Sequence, residues 1–353
     1  MTGMIWTVAA EGGYMYQNEL SDYLRIKAQA LTKFRQFCDA KDGAEKGLNR
    51  GDLFYWNVYS DISTQGQQLD ERAPMPESGF TIGQRQLQIM EAGNSVPFTG
   101  KLTDMAKHDV TTIIDKTLKN DARKYFDIQA WTAFNQTVLR AAPTGGNSAT
   151  SVTISTNGTA GGITNNVALG TGHVKAISDY MKESNIPPYK DDDYLCISHP
   201  SSYRTFKNQL EGVKQYTMAG IAEIFAGEIG RYENTRFVEQ NFIPKGGANN
   251  ATTFNAYTQT SQPWANGLSS WAFFFGGDTV TEAIALPEEI RAKIPGDYGR
   301  SRGIAWYYLG GFGIVHPDAA NARILTWDSA TYGIHHHTPG GPQGPLRNSL
   351  CAR

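Results

Sequence analysis

The chain is poor in cysteine: Cys38, Cys196 and Cys351 stand far apart among 353 residues and are odd in number. That excludes a disulfide framework and leaves no CxxC pair for a metal or a redox couple. Long apolar runs are missing as well. No stretch reaches the roughly 18 to 20 consecutive apolar residues of a membrane-spanning helix, and the start Met1-Thr-Gly-Met4 is not a basic region leading into an apolar one. The expectation is a protein made and used in the cytoplasm, with no membrane partner. Positive charge is scarce too, with 32 Lys and Arg against 34 Asp and Glu and a net charge of -2. Tight binding of phosphates comes from clustered bases that release counterions, so any contact with nucleic acid is expected to be loose and independent of base sequence. The Walker A, HExxH and GxGxxG patterns of nucleotide, zinc and redox chemistry are also absent, and neither cofactor nor metal is expected.

What the chain does contain is enough apolar material for real cores, 40% hydrophobic against 19% charged. Its 37 glycines, 15 prolines and 11% aromatics point to β-rich, turn-rich structure in the later two thirds. Leu20, Tyr23, Leu24, Leu31, Phe34 and Phe37 recur at helical spacing and read as a short amphipathic arm. After Asp42-Gly43 and Gly47 come two runs rich in strand formers, Asp52–Ser60 and Phe80–Met90. They read as a long β-hairpin whose turn contains Gln65 to Pro76.

The longest periodic stretch follows Phe98-Thr-Gly100, with Val110, Ile113, Ile114, Leu118, Ala122, Tyr125, Phe126, Phe134 and Val138 on one face and Asp109 placed to cap it. As one helix it would be about 40 Å long. The Gly, Ser, Thr and Asn run from Pro143 to Asn166 reads as a loop or weak surface strands. A second unit opens near Thr171 with a helix through Val174, Ile177 and Met181. Strands are expected at Tyr194–Ser198, Thr235–Glu239, Trp271–Phe275, Gly303–Leu309 and Ala322–Thr326, and the tail from Tyr332 is expected to be extended or disordered. A two-stranded hairpin alone is marginal in water, so it needs a partner, either on another subunit or, by folding back, on the second unit of the same chain, which the sequence permits but does not favour.

Several residues invite a chemical reading. Gly299, Ser301 and Gly303 match GxSxG, whose chemistry needs a strand, a sharp turn and a helix in that order; an aromatic strand follows here instead. His335, His336 and His337 are consecutive and cannot easily converge on one ion. Asp191, Asp192 and Asp193 lack the spacing of an EF-hand and are expected to solubilise a turn. Glu228 has no His or carboxylate at a telling distance. The better account of Gly227, Glu228 and Gly230 is a structural turn with Glu228 paired to Arg231 or Arg236. His199 and His316 each precede a proline and are expected at strand ends. No catalytic residue is expected.

In order, the residues resemble the major capsid proteins of tailed phages, and among them the coat proteins of the N4-like phages. The likeness rests on Gly51-Asp52, Leu69-Asp70-Glu71, Pro74 and Glu91-Ala92-Gly93-Asn94 in the hairpin region. It continues through His199-Pro200, Gly227–Tyr232 with Arg236–Glu239, and then Trp306, Gly310-Gly311-Phe312 and Ala322-Arg323-Ile324. The resemblance implies an α+β fold with an N-terminal arm (1–50), an extended loop (51–100), a peripheral domain with a long spine helix (101–170) and an axial domain (171–305). Returning strands (306–330) and a flexible tail (331–353) complete it. It implies a structural subunit, not an enzyme, that assembles as hexamers and pentamers into an icosahedral shell around double-stranded DNA. An encapsulin-like cellular compartment is the alternative, and a soluble hydrolase the remote one.

Implied partners are other copies of the chain, a portal, a scaffolding protein and a decoration protein, in a virion capsid assembled in the bacterial cytoplasm. The scaffolding protein is expected to be separate, because the arm begins within about the first 20 residues and leaves no room for a fused scaffold. In some relatives a lysine of the extended loop is joined covalently to a neighbour's asparagine, but residues 51–100 contain no lysine. That segment has six acids and two bases, a charge of -4. Asp70 and Glu71 at its turn are therefore expected to meet a neighbour's bases, with Lys116, Lys119, Arg123 and Lys124 of the spine helix as candidates, and Arg72 is expected in the same intersubunit contact.

Overall fold

The computed structural model describes Met4 and residues 33–42, 53–62, 66, 68–69, 71–72, 75, 77–158, 167–214, 230–242, 263–264 and 267–330. Most of the arm, Asp70, Gly227, Glu228 and the tail with His335–His337 lie outside the described residues. The strands are β1 (Asp39–Asp42), β2 (Leu53–Tyr59), β3 (Ile82–Gln88), β4 (Met90–Thr99), β5 (Leu139–Pro143), β6 (Val152–Ser155) and β7 (Tyr194–Ser198). They continue with β8 (Arg231–Tyr232), β9 (Thr235–Glu239), β10 (Pro263–Trp264), β11 (Gly267–Phe275), β12 (Val280–Ala292), β13 (Ser301–Ile314) and β14 (Ile324–Ala330). The helices are α1 (Gly100–Met105), α2 (Val110–Phe134), α3 (Thr171–Glu183) and α4 (Arg204–Lys214).

Helix α2 joins two cores. Asp109 caps it as its spacing suggests, with one carboxylate oxygen accepting from the Thr111 N–H at 3.0 Å and the other from the Thr112 hydroxyl at 2.6 Å. Val110, Ile114, Leu118, Ala122 and Phe126 bury one stripe against Phe98, Trp306 and Tyr308 of a four-stranded sheet ordered β1-β12-β13-β4. One turn further on, Ala130, Trp131 and Phe134 enter a different cluster with Trp271, Phe273 and Phe275 of an eight-stranded sheet. Each buried large side chain contributes about 1.5 to 3 kcal/mol. The helix therefore fixes the two sheets to each other. It stops at Phe134, earlier than the stripe through Val138 suggests. Asn135 caps it, and Thr137 and Leu139 leave to pair with β14: the Thr137 hydroxyl donates to the Ile324 carbonyl at 2.5 Å, and Leu139 lies opposite Leu325.

The expected strands at 194–198, 235–239, 271–275 and 303–309 and the helix from Thr171 are present, and the last strand is displaced to Ile324–Ala330. Strands β4 and β12 are among those that escape a reading by pattern. Strand β12 carries Pro287 and a charged second half, and it persists because bulges between Ile284 and Glu289 absorb the proline while β13 pairs alongside. Strand β4 contains Gly93 and Pro97, tolerated because β4 closes one side of its sheet.

The hairpin expected from residues 52 to 90 forms, with Leu53 opposite Gln88 and Tyr59 opposite Ile82. The expectation that its third partner lies on another subunit is corrected for the root. There Phe54 and Leu87 join Ala283, Ala285 and Leu309 of the same chain.

Candidate assembly surfaces

The hairpin sits on a glycine track. Gly311 and Gly313 of β13 have no side chain where Leu87 and Trp56 come down. A Cβ on Gly313 would stand 3.1 Å from Leu87 and 3.5 Å from Trp56, and one on Gly311 would stand 2.7 Å from the Gln88 carbonyl. Arg85 adds an ion pair to Asp318. A cleft of about 610 Å³ separates β2 from the body and is lined also by Thr281, Val315, His316 and Arg323. There Asp278 accepts from His316 Nε2 at 3.1 Å and Arg323 Nη1 at 3.0 Å.

The opposite face of the hairpin has no charge. Leu53, Tyr55, Asn57 and Tyr59 stand beside Ile82, Gln84, Gln86 and Gln88, all exposed. Leu53, Tyr55, Tyr59 and Ile82 thus leave apolar surface exposed on an open two-stranded face. Its acids gather toward the turn, where Asp61, Glu71, Arg72 and Glu77 are exposed.

On α2, Lys116, Lys119 and Arg123 are exposed. Lys119 is held by Asp115 at 2.7 Å, and the half-buried Lys124 lies 5.9 Å from the ring of Phe242. Within the chain, and among the described residues, Glu71, Lys116 and Arg123 form no ion pairs. Within the single chain, and among the described residues, no ion pair joins Glu71 to the helix.

The arm segment is locked down where it crosses α2. Phe34 is fully buried against Phe134 and Phe273, and its N–H donates to Asp127 at 2.7 Å. Arg35 forks onto the buried Glu282, also reaches Glu288 at 2.9 Å, and covers the Phe126 ring at 4.1 Å. Burial works against the Arg35 charge, and the hydrogen bonds with Glu288 and Glu282 more than offset it, so its pKa rises. Burial raises Asp127 to about 6, against the opposing hydrogen bonds from Phe34 and Gln240. Asp328, beside Trp271 and Arg140 in the eight-stranded sheet, is also raised to about 6 by burial. None of these groups could be found by spacing, since Arg35 and Glu282 are 247 positions apart.

Among the described residues, several motifs weighed for chemistry have local structural contacts. Ser301 opens β13 after a turn, so a turn feeds a strand, and its hydroxyl receives Lys293 Nζ at 2.9 Å. The three aspartates divide: Asp191 and Asp192 form a left-handed turn with φ of 50° and 62°, whereas Asp193 is buried. It ion-pairs with Arg231 at 2.6 Å and Arg236 at 2.5 Å, so it does more than solubilise. Gly230 takes φ 71° at the start of β8, as a turn glycine does. His199 ends β7 and bonds Ser201 at 2.6 Å. Among the described residues no three His, Cys, Asp or Glu side chains could hold a metal.

No protein-family model matches the sequence, and no curated protein does. The fold does have solved counterparts. The chain is similar to the capsid asymmetric unit of cyanophage Pam1, with a TM-score of 0.65 and 12% identity over 90% of this chain and 97% of that one. The capsid of Ralstonia phage GP4 gives 0.63 and 14%, covering 90% and 96%. The capsid of cyanophage P-SCSP1u gives 0.60 and 13%, covering 93% and 97%. The α+β fold of this chain is therefore the fold of phage capsid chains.

Proposed function

We propose that this chain is the major capsid protein of a tailed bacteriophage, a subunit without catalysis that assembles as hexamers and pentamers into an icosahedral shell around double-stranded DNA. The observation that carries the reading is coverage: the likeness to the Pam1 capsid spans 90% of this chain and 97% of that one, so it is not confined to one shared domain. The exposed, uncharged hairpin face supports it, being a surface suited to a neighbouring copy. In this reading residues 1–50 are the arm, 51–100 the extended loop, 101–170 the peripheral domain, 171–305 the axial domain and 306–330 the returning strands, with 331–353 a tail. The order of the motifs from Gly51 to Ile324 supports a kinship with the N4-like coats in this reading.

The partners are further copies, a separate scaffolding protein, a portal, a decoration protein and DNA held loosely, in a virion assembled in the host cytoplasm. Asp70 and Glu71 meet a neighbour's bases, for which Lys116, Lys119, Arg123 and Lys124 are one candidate set, and Arg72 lies in the same intersubunit contact. Expression of the full chain with size-exclusion chromatography and negative-stain imaging tests the reading. Closed shells are expected, holding DNA when recovered from infected cells. A chain that stays a small oligomer overturns it, and shells that enclose a cellular enzyme instead favour the compartment.

A further inference from the structure

Two connections cross between the sheets side by side. Residues 276–279 lead from β11 to β12, and residues 315–323 lead from β13 to β14. Backbone hydrogen bonds tie them at both ends: the Val315 N–H donates to the Thr279 carbonyl at 2.9 Å, and the Gly276 N–H to the Arg323 carbonyl at 3.2 Å. Between these ties, one carboxylate oxygen of Asp278 accepts from His316 Nε2 at 3.1 Å and from Arg323 Nη1 at 3.0 Å. Asp278 does so from a left-handed backbone with φ 53°. Glycine would meet that φ with less strain, so what the aspartate adds is its carboxylate.

The sheets have a second link of another kind in α2, which buries Val110 to Phe126 against the four-stranded sheet and Ala130 to Phe134 against the eight-stranded one. A helix packed between two bodies resists their separation better than it resists their turning about its own axis. A second attachment removes that freedom, and the paired connections supply one.

The two links differ in how they can give. The contacts of α2 are closed apolar packing, whereas Asp278 is 51% exposed in the cleft of about 610 Å³ that His316 and Arg323 also line. His316 is buried and its Nδ1 has no partner, so the Asp278 carboxylate is what holds the ring by a hydrogen bond. Polar contacts that face an open cleft can part and re-form without opening a core. The hairpin is carried along with the second connection, because Arg85 pairs with Asp318 within it.

We infer that Asp278, by holding His316 and Arg323 across the two connections, sets the angle between the sheets and through it the curvature of the shell the chain builds. The inference rests on the shell reading. In a closed lattice made of one chain the inclination of neighbours follows from the subunit's own shape, so a loosened angle gives shells of more varied diameter.

The test uses the full chain below and above the concentration at which it assembles. Below it, amide hydrogen exchange reads the connections: in Asp278→Gly, which suits the backbone and lacks the carboxylate, residues 276–279 and 315–323 exchange roughly tenfold faster while α2 keeps its wild-type protection. Above it, negative-stain imaging of the same variant gives a broader spread of particle diameters than wild type. Asp278→Asn, which keeps the shape and an acceptor oxygen, falls between the two in both measurements, and it carries the test alone if the glycine variant does not fold. The inference is overturned if the diameters keep the wild-type spread, if exchange in the two connections is unchanged, or if α2 loses protection to the same degree, which would mark a general loosening of the fold. A wild-type chain that forms no particles would overturn the shell reading and the curvature with it, while the exchange comparison would still decide whether Asp278 fastens the two connections.

Discussion

The indole of Trp56 lies over Gly313, 3.5 Å from where a Cβ would stand, and Leu87 comes to 3.1 Å of the same point. The root of the extended hairpin therefore rests on backbone and tolerates no side chain beneath it. Gly311→Val or Gly313→Val would lift the hairpin, with an overpacking cost of about 1 to 3 kcal/mol. The expected result is a folded subunit with a lowered urea midpoint, faster proteolysis within residues 60–80, and little assembly. Unchanged proteolysis and assembly in Gly313→Val would show that the track does not seat the hairpin.

Arg35 and Glu282 form the other long-range lock. The Glu282 side chain is only 3% exposed and also receives the Tyr308 hydroxyl at 3.0 Å, so removing its cation leaves a carboxylate inside the fold. Arg35→Ala is expected to cost roughly 2 to 4 kcal/mol, read as a shift in the denaturation midpoint. Arg35→Lys should recover only part of it, because an ammonium cannot span Glu282 and Glu288 as the fork does. Full recovery by lysine would mean that charge alone, not the fork, holds the arm.

Asp109 and the stripe from Val110 to Phe126 disclose the helix in the sequence because capping and 3.6-residue periodicity are local signals. The hairpin is legible for the same reason, its strand formers being bounded by turn residues. Strands β4 and β12 are hidden by Pro97, Pro287 and a run of charges, which only the neighbouring β13 makes tolerable. Gly310-Gly311-Phe312 stands out as a motif, yet its role depends on Leu87, more than 200 positions away. The same holds for Tyr298 in the turn between β12 and β13. Its exposure and left-handed backbone are properties of the fold, and GxSxG draws the eye to Ser301 instead.

Asp328 and Asp127 set the pH dependence. Both have folded-state pKa values of about 6, raised chiefly by burial, so the native state binds these protons more tightly than the unfolded chain, in which an aspartate titrates near about 3.9. Their charged forms burden the fold above pH 6, and that burden is relieved as the pH falls from 6 toward about 4. The subunit should melt higher at pH 5 than at pH 7.5. Asp328→Asn, neutral throughout, should shrink the difference; an equal or larger difference in the variant would remove Asp328 from the account.

In a shell built from this chain, the hairpin would hold neighbouring copies without a covalent link of its own. No lysine occurs between Gly51 and Gly100, so the hairpin has no amine from which an isopeptide bond to a neighbour's asparagine could form. What it offers is noncovalent: an uncharged face from Leu53 to Tyr59 and acids toward its turn. Individual exposed ion pairs contribute only about 0 to 1 kcal/mol and weaken with salt, so the strength of such a lattice comes from repetition and from the apolar part of each contact. Mature particles boiled in denaturant should run as monomer on a reducing gel, and intact particles should lose stability as ionic strength rises. A ladder of multimers that survives boiling and reduction would show that another segment supplies a covalent link.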